Sequence, residues 1–195
     1  MEELNRSLFL LINASAEASL PVRELAVFLA QGLVLSVPLL LLVFWVFGDR
    51  RQRMIVLLAT LSIVFALACN LLIRELWFHP RPFMLGLGQN FLAHAPGASF
   101  PSDHASGMFA MAFALILASL RKTGGVMLAL AFLVSWARVY LGVHFPFDIL
   151  GGCLVGLFSA WLVRRSMIWR QLDQRLLALL EGIYHRLIPM GRQGS

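Results

Sequence analysis

Five apolar stretches, roughly 24–47, 54–73, 104–120, 125–142 and 148–163, are separated by three short links and one long loop, 74–103. At about 1.5 Å of helical rise per residue, each reads as a membrane crossing. Nothing else in the chain constrains its fold as strongly. Backbone polar groups in hydrocarbon must be satisfied within the segment, and an α-helix does this. Charged residues make up 13% of the chain, about half the share usual in a soluble domain, and mean hydropathy is +0.80. The expected fold class is all-α: a polytopic membrane bundle of about five transmembrane helices, forming one domain over 1–195.

Arg50, Arg51 and Arg53 follow the first stretch, Arg121 and Lys122 the third, and Arg164 and Arg165 the fifth. Placing all three links in the cytoplasm satisfies the positive-inside rule at every crossing. The N-terminus is then outside and the C-terminus cytoplasmic. The formal charge of +6 reflects this topology; arginines at segment ends form no patch for nucleic acid. Cys69 and Cys153 lie within apolar stretches and read as small buried hydrophobes, neither disulfide partners nor metal ligands. Glu2 and Glu3 stand where a cleavable signal would carry positive charge, so none is expected.

Two flanks differ in kind. Within 1–20, Leu4, Leu8, Leu11 and Ile12 mark a short amphipathic helix on the outer surface. Within 166–190, Ile168, Leu172, Leu176, Leu179, Ile183 and Leu187 alternate with Arg170, Arg175 and Arg186. That pattern reads as a basic helix on the cytoplasmic leaflet. For both, the competing reading is packing on the bundle or on a second subunit, which leaves a homo-oligomer open. The loops 74–103 and 143–147 share the outer side. An impermeant thiol reagent is expected to reach a cysteine at Ser99 and not one at Arg121.

The chemistry-bearing residues gather in or beside those two loops. "RELWFHPRP" supplies Arg74 and Arg81. Interfacial anchoring explains such arginines on the cytoplasmic side, but the positive-inside rule disfavours them outside, and a guanidinium grips phosphate with a two-pronged fork. "PSDH" opens the third stretch, where Ser102 suits an N-cap, Asp103 suits the helix dipole, and free N–H groups favour an anion. His104 stands where it can donate a proton. "RVYLGVHFPFD" supplies Arg138, His144 and Asp148. An intramembrane arginine is functional by default, and a carboxylate four residues after an imidazole can hold one ring nitrogen and free the other. A structural Asp–His pair is the bland alternative. Three Arg, two His, one Ser and one Asp on one face make a phosphoryl-transfer set.

In order, R-x6-R-P, P-S-D-H and R-x5-H-x3-D resemble the three-part signature of the type 2 phosphatidic acid phosphatase superfamily. The PSDH form and the short layout look most like its bacterial undecaprenyl-diphosphatase branch, known for bacitracin resistance. The resemblance implies that His144 attacks the terminal phosphorus to form a phosphohistidine, with Asp148 orienting it. His104 protonates the leaving oxygen and then activates water, while Arg74, Arg81, Ser102 and Arg138 hold phosphate oxygens. Asp103 is counted in the same phosphate-facing group, its role open between tuning His104 and capping the helix. The implied partner is a polyprenyl diphosphate lipid, the location the bacterial cytoplasmic membrane with the site facing outward, and no cofactor is implied. Three positions depart from the family pattern: Arg74 replaces the usual Lys, Asp103 the commoner Gly, and Ala137 a Ser.

Other readings compete. A metal site of His104, His144, Asp103 and Asp148 is opposed by the arginines, which repel a cation. A transporter would carry charge at mid-bilayer, with broken helices. A non-catalytic scaffold leaves seven convergent residues unexplained. A phosphatidylglycerophosphate or phosphatidate phosphatase, or a lipid phosphotransferase, shares the chemistry and differs in substrate or acceptor.

Overall fold

A computed structural model describes residues 1–166, 175, 177–184 and 186. Its helices are α1 (Glu2–Ile12), α2 (Leu20–Val27), α3 (Ser36–Phe47), α4 (Arg50–Leu76), α5 (Asp103–Leu117), α6 (Arg121–Tyr140) and α7 (Pro146–Arg165). A π-turn at Phe28–Gly32 and a 3-10 turn at Leu33–Leu35 join α2 to α3, making one apolar span over Leu20–Phe47. The irregular stretch contains Gly32 and ends just before Pro38, whose missing N–H and bulky ring perturb the preceding turn. Among the described residues, four helical stretches have the length and hydropathy of a crossing.

The stretch read as 104–120 is the exception. Its helix, α5, has 15 residues, about 22 Å of rise. Ser119 adopts φ 68, Leu120 N–H donates to Leu115 C=O at 2.9 Å, and Ser119 N–H donates to Ile116 C=O at 3.0 Å. This is a Schellman stop built without glycine. The sequence carried no signal for it.

Helix α5 is the centre of the bundle and packs against α4, α6 and α7. Its buried face combines Met108, Phe109, Met111 and Leu115 with Ala105, Ala110, Ala112 and Ala114. Contact with α7 is close enough to exclude side chains. A Cβ on Gly152 would stand 2.7 Å from Ala105 Cβ, and one on Gly156 would stand 2.7 Å from Ala110 N. Small residues spaced four apart bring helix backbones together where lipid gives no hydrophobic drive. That approach brings the N-terminal turns of α5 and α7 side by side: Ser102 N–H donates to Asp148 C=O at 3.2 Å.

At the other end, Arg51 Nη2 reaches Ala118 C=O at 3.4 Å, so the start of α4 and the end of α5 lie together. The basic links therefore stand opposite the end that carries Ser102 and Asp148.

The two flanks depart from expectation. Helix α1 packs on the protein by a different face from the one the leucines suggested. Phe9 is fully buried with its ring edge-on to Phe145 at 5.3 Å, and Asn5 Oδ1 accepts from Phe147 N–H at 3.0 Å. Leu4 and Leu11 stay exposed. A buried amide that satisfies a first-turn N–H of α7 outweighs a leucine stripe in fixing which face docks. Most of the basic amphipathic helix expected at 166–190 lies outside the described residues. Residues 177–184 are helical, with Leu177 buried and Glu181 paired to Arg53 at 3.3 Å, so this portion packs on the bundle.

Candidate active site

The third motif turns a corner whose shape follows from its residues. Helix α6 ends at Tyr140, and Gly142 takes φ 86, where a Cβ would also strike Gln89 C=O; only glycine fits. Pro146 then opens α7 at its first position. Asp148, at the third, reaches back so that Oδ2 accepts from Phe145 N–H at 2.7 Å. The same oxygen accepts from Ser99 Oγ and lies 3.4 Å from His144 Nδ1. The carboxylate is thus anchored by backbone and hydroxyl before it meets the imidazole.

His144 and Asp148 are buried. Arg81 Nη1 stands 3.2 Å from His144 Nε2 and 3.2 Å from Val143 C=O. A guanidinium only donates, so Nε2 faces it with a lone pair and Nδ1 carries the proton toward Asp148. The tautomer is assigned from these partners. Burial pushes the His144 imidazole down to about 4, with Arg138 and Arg81 pushing the same way and Asp148 opposing them. Burial also lowers the Arg81 guanidinium, and Arg74 adds to this, while Asp148 and Asp103 offset it.

Arg138 is 2% exposed. Among the described residues its Nε and Nη2 have no hydrogen-bond partner, nor does Arg81 Nε. A buried cation without a counter-charge costs several kcal/mol, and two such guanidiniums beside one imidazole leave N–H groups free for an anion. Ser102, fully buried, caps α5 by accepting from Ala105 N–H at 3.5 Å, leaving the first-turn amides of α5 beside α7.

Arg74 and Asp103 form a second group. Arg74 Nη2 pairs with Asp103 Oδ1, which also accepts from Asn70 Nδ2 at 2.8 Å. Asn70 and Ser106, both buried, exchange hydrogen bonds at 3.0 and 3.1 Å. Asp103 is therefore held against a cation and an amide. Asp103 and Asp148 sit in different networks, and among the described residues no three His, Cys, Asp or Glu side chains converge as metal ligands.

His104 borders a cavity of about 250 Å³. Its apolar walls are Val34, Val37 and Pro38 of the first span and Ile63 and Leu67 of α4, with Asp103 and His104 supplying its polar part. Leu67 in its wall is exposed, as are Leu35, Leu39 and Val64, which adjoin Val34, Pro38 and Ile63 in sequence, so it lies on the apolar flank of the bundle.

Sequence reasoning missed several of these residues. Asn70 was findable, as an amide within an apolar helix. Ser99 carried no such signal, and it is fully buried on Asp148. It is unsuited to the reagent test expected of it; Ala93 and Ala95 are exposed positions in the same loop. His94 was also passed over. Its ring lies 6.4 Å from that of His144, and burial lowers its pKa, with Arg81 and Arg138 adding to the effect. Ala137, where the family pattern has a hydroxyl, is packed among Ala26, Ala30 and Leu141.

Known proteins resemble this chain in sequence and in fold. The sequence pattern of the PAP2 superfamily matches residues 54–172, a region that includes all three motifs. The putative undecaprenyl-diphosphatase YbjG of Escherichia coli (strain K12) is 38% identical over 184 residues, covering 94% of this chain and 92% of that protein. Undecaprenyl-diphosphatase BcrC of Bacillus subtilis (strain 168) is 30% identical over 185 residues, 94% of this chain and 95% of that one. The crystal structure of Aquifex aeolicus LpxE superposes with a TM-score of 0.68 at 28% identity, covering 84% of this chain and 96% of that one. With three ordered motifs gathered at one end of a helical bundle, and likeness along nearly its full length, the chain belongs to the PAP2 superfamily.

Proposed function

We propose that this protein is an undecaprenyl-diphosphate phosphatase of the bacterial cytoplasmic membrane. It removes the terminal phosphate on the outer face, returns undecaprenyl phosphate to cell-wall synthesis and supports bacitracin resistance. One observation carries the reading: an Asp-held imidazole lies beside two buried guanidiniums with unpaired N–H groups. The apolar cavity bordered by His104 offers a place for an isoprenoid tail, and two relatives bear undecaprenyl-diphosphatase names. The basic links at the opposite end favour the outward orientation.

In this mechanism the His144 Nε2 lone pair attacks the terminal phosphorus. A P–N bond forms as the bond from phosphorus to the bridging oxygen breaks. His104 gives its proton to the departing lipid phosphate. Water then attacks the phosphohistidine, His104 takes its proton, the P–N bond breaks and inorganic phosphate leaves. Arg81 and Arg138 neutralise charge on the equatorial oxygens, with Ser102 and the α5 amides beside them. Arg74 contributes through its pairing with Asp103.

The test is inorganic phosphate release by purified protein in detergent with excess EDTA. Undecaprenyl diphosphate is compared with phosphatidate and phosphatidylglycerophosphate. Faster release from the diphosphate is expected; preference for either other lipid reassigns the substrate, and release only after a divalent ion is restored revives a metal site.

The pH profile is a second test. A pKa held near 4 keeps His144 neutral, and so nucleophilic, at every pH above that value. The acid limb of kcat/KM is expected near pH 4, below the ordinary imidazole value of about 6.5. Because the folded ring resists protonation that the unfolded chain accepts, the native state loses stability as pH falls through that same window. Measuring kcat/KM from about pH 3 to 9 locates the limb, and one near 6.5 would contradict a buried nucleophile.

A further inference from the structure

His79, in the loop between α4 and α5, has no part in the mechanism above. Its carbonyl accepts from Ser99 N–H at 2.6 Å, and its ring lies against those of Trp77 and Phe145 at 5.6 and 5.4 Å. Nδ1 is buried without a hydrogen-bond partner among the described residues, and so is Asp148 Oδ1. These two atoms face each other at 3.7 Å, just beyond hydrogen-bond length. On the far edge of the ring, Nε2 lies 3.4 Å from Glu2 Oε2 of α1. A carboxylate oxygen out of water seeks a donor, and among the described residues the unpartnered ring nitrogen beside it belongs to His79. Catalytic hydrogen bonds are often long without substrate and tighten when it binds.

We infer that His79 is a positioning residue for the nucleophile. Its Nδ1–H donates to Asp148 Oδ1, so that the carboxylate is gripped between two imidazoles, His79 on Oδ1 and His144 on Oδ2. Docking of α1, through Phe9 against the Phe145 ring that lies on His79, holds the His79 ring in place. The inference rests on the reading of His144 and Asp148 as the nucleophilic pair.

Asp148 without its second donor carries more negative charge toward His144 and favours the imidazolium there. His144 is also faced by Arg81, Arg138 and, farther off, His94 and His104, none of which is altered by a change at position 79. The full-length protein in detergent is compared as wild type, His79→Leu and His79→Asn, in which the Asn amide nitrogen occupies the Nδ1 position. In His79→Leu, kcat for undecaprenyl diphosphate is expected to fall about tenfold at unchanged KM, the rate equivalent of one hydrogen bond. His79→Asn is expected to recover most of it. The His144 ring titration, followed by NMR on histidine-labelled protein, needs no turnover and is expected to move upward in His79→Leu. Wild-type kcat in His79→Leu, or an unmoved His144 titration, overturns the inference. Equal loss in both variants with no shift marks a merely structural histidine and also overturns it. A wild type that releases no phosphate while the titration still moves defeats the functional reading alone.

Discussion

Replacing His144 with alanine is expected to lower phosphate release from undecaprenyl diphosphate by roughly 10⁴-fold or more, the scale on which a nucleophilic unit fails when one member is lost. The geometry leaves no substitute at that point. Nε2 is the nitrogen that faces Arg81 with a lone pair, and Nδ1 is committed to Asp148. His94, whose ring centre is 6.4 Å away, lacks a carboxylate to orient it. Acid quenching would destroy the intermediate, because a P–N bond hydrolyses in acid and survives base. Wild-type protein quenched in base during turnover of terminally labelled lipid is therefore expected to retain label, and His144→Ala to retain none. Label that persists in His144→Ala would move the nucleophile elsewhere.

Arg138→Met is expected to change activity and stability in opposite directions. The guanidinium is buried with Nε and Nη2 unpaired, so it is set for a charge that arrives with the substrate. Its loss is expected to lower kcat/KM about 10²- to 10³-fold, as for other groups that stabilise developing negative charge. Replacing buried ionic groups by well-packed apolar side chains of similar volume is often neutral or stabilising, by up to about 4 kcal/mol, and a guanidinium with two unpaired nitrogens belongs at the stabilising end. In phosphate-free detergent buffer the variant should therefore melt several degrees above wild type, at about 2–4 °C per kcal/mol for a chain of this size. Added inorganic phosphate should narrow the gap by stabilising only the protein that retains its arginine. A variant that melts lower would show that Arg138 is paired in the native protein.

The parts of the site legible in sequence are those fixed by local geometry. Arg138, His144 and Asp148 lie within eleven positions, on either side of a corner dictated by Gly142 and Pro146, so their spacing nearly determines their meeting. The same holds for Ser102, whose capping role follows from its place before α5. Contacts between distant segments were illegible. Asn5 meets Phe147 across 142 positions, and Ser99 meets Asp148 across 49; no periodicity announces either. Asp103 shows the same limit. Its charge was visible, but whether it faced a phosphate or Arg74, 29 positions earlier, depended on how α4 lies against α5. The crossings were legible from hydropathy, while the stop at Ser119 was not, because a left-handed serine gives no compositional warning.

The cavity beside His104 opens sideways, between the first span and α4. A lipid that enters there never passes through bulk water. Its supply is then a surface density, set by how many carrier molecules share each patch of bilayer, and its arrival is a two-dimensional search. Diluting vesicles in buffer would leave the turnover rate per protein untouched, whereas diluting the carrier with inert lipid at constant total concentration would slow it. A short soluble diphosphate, however well it matched the arginines, would forgo that lateral supply.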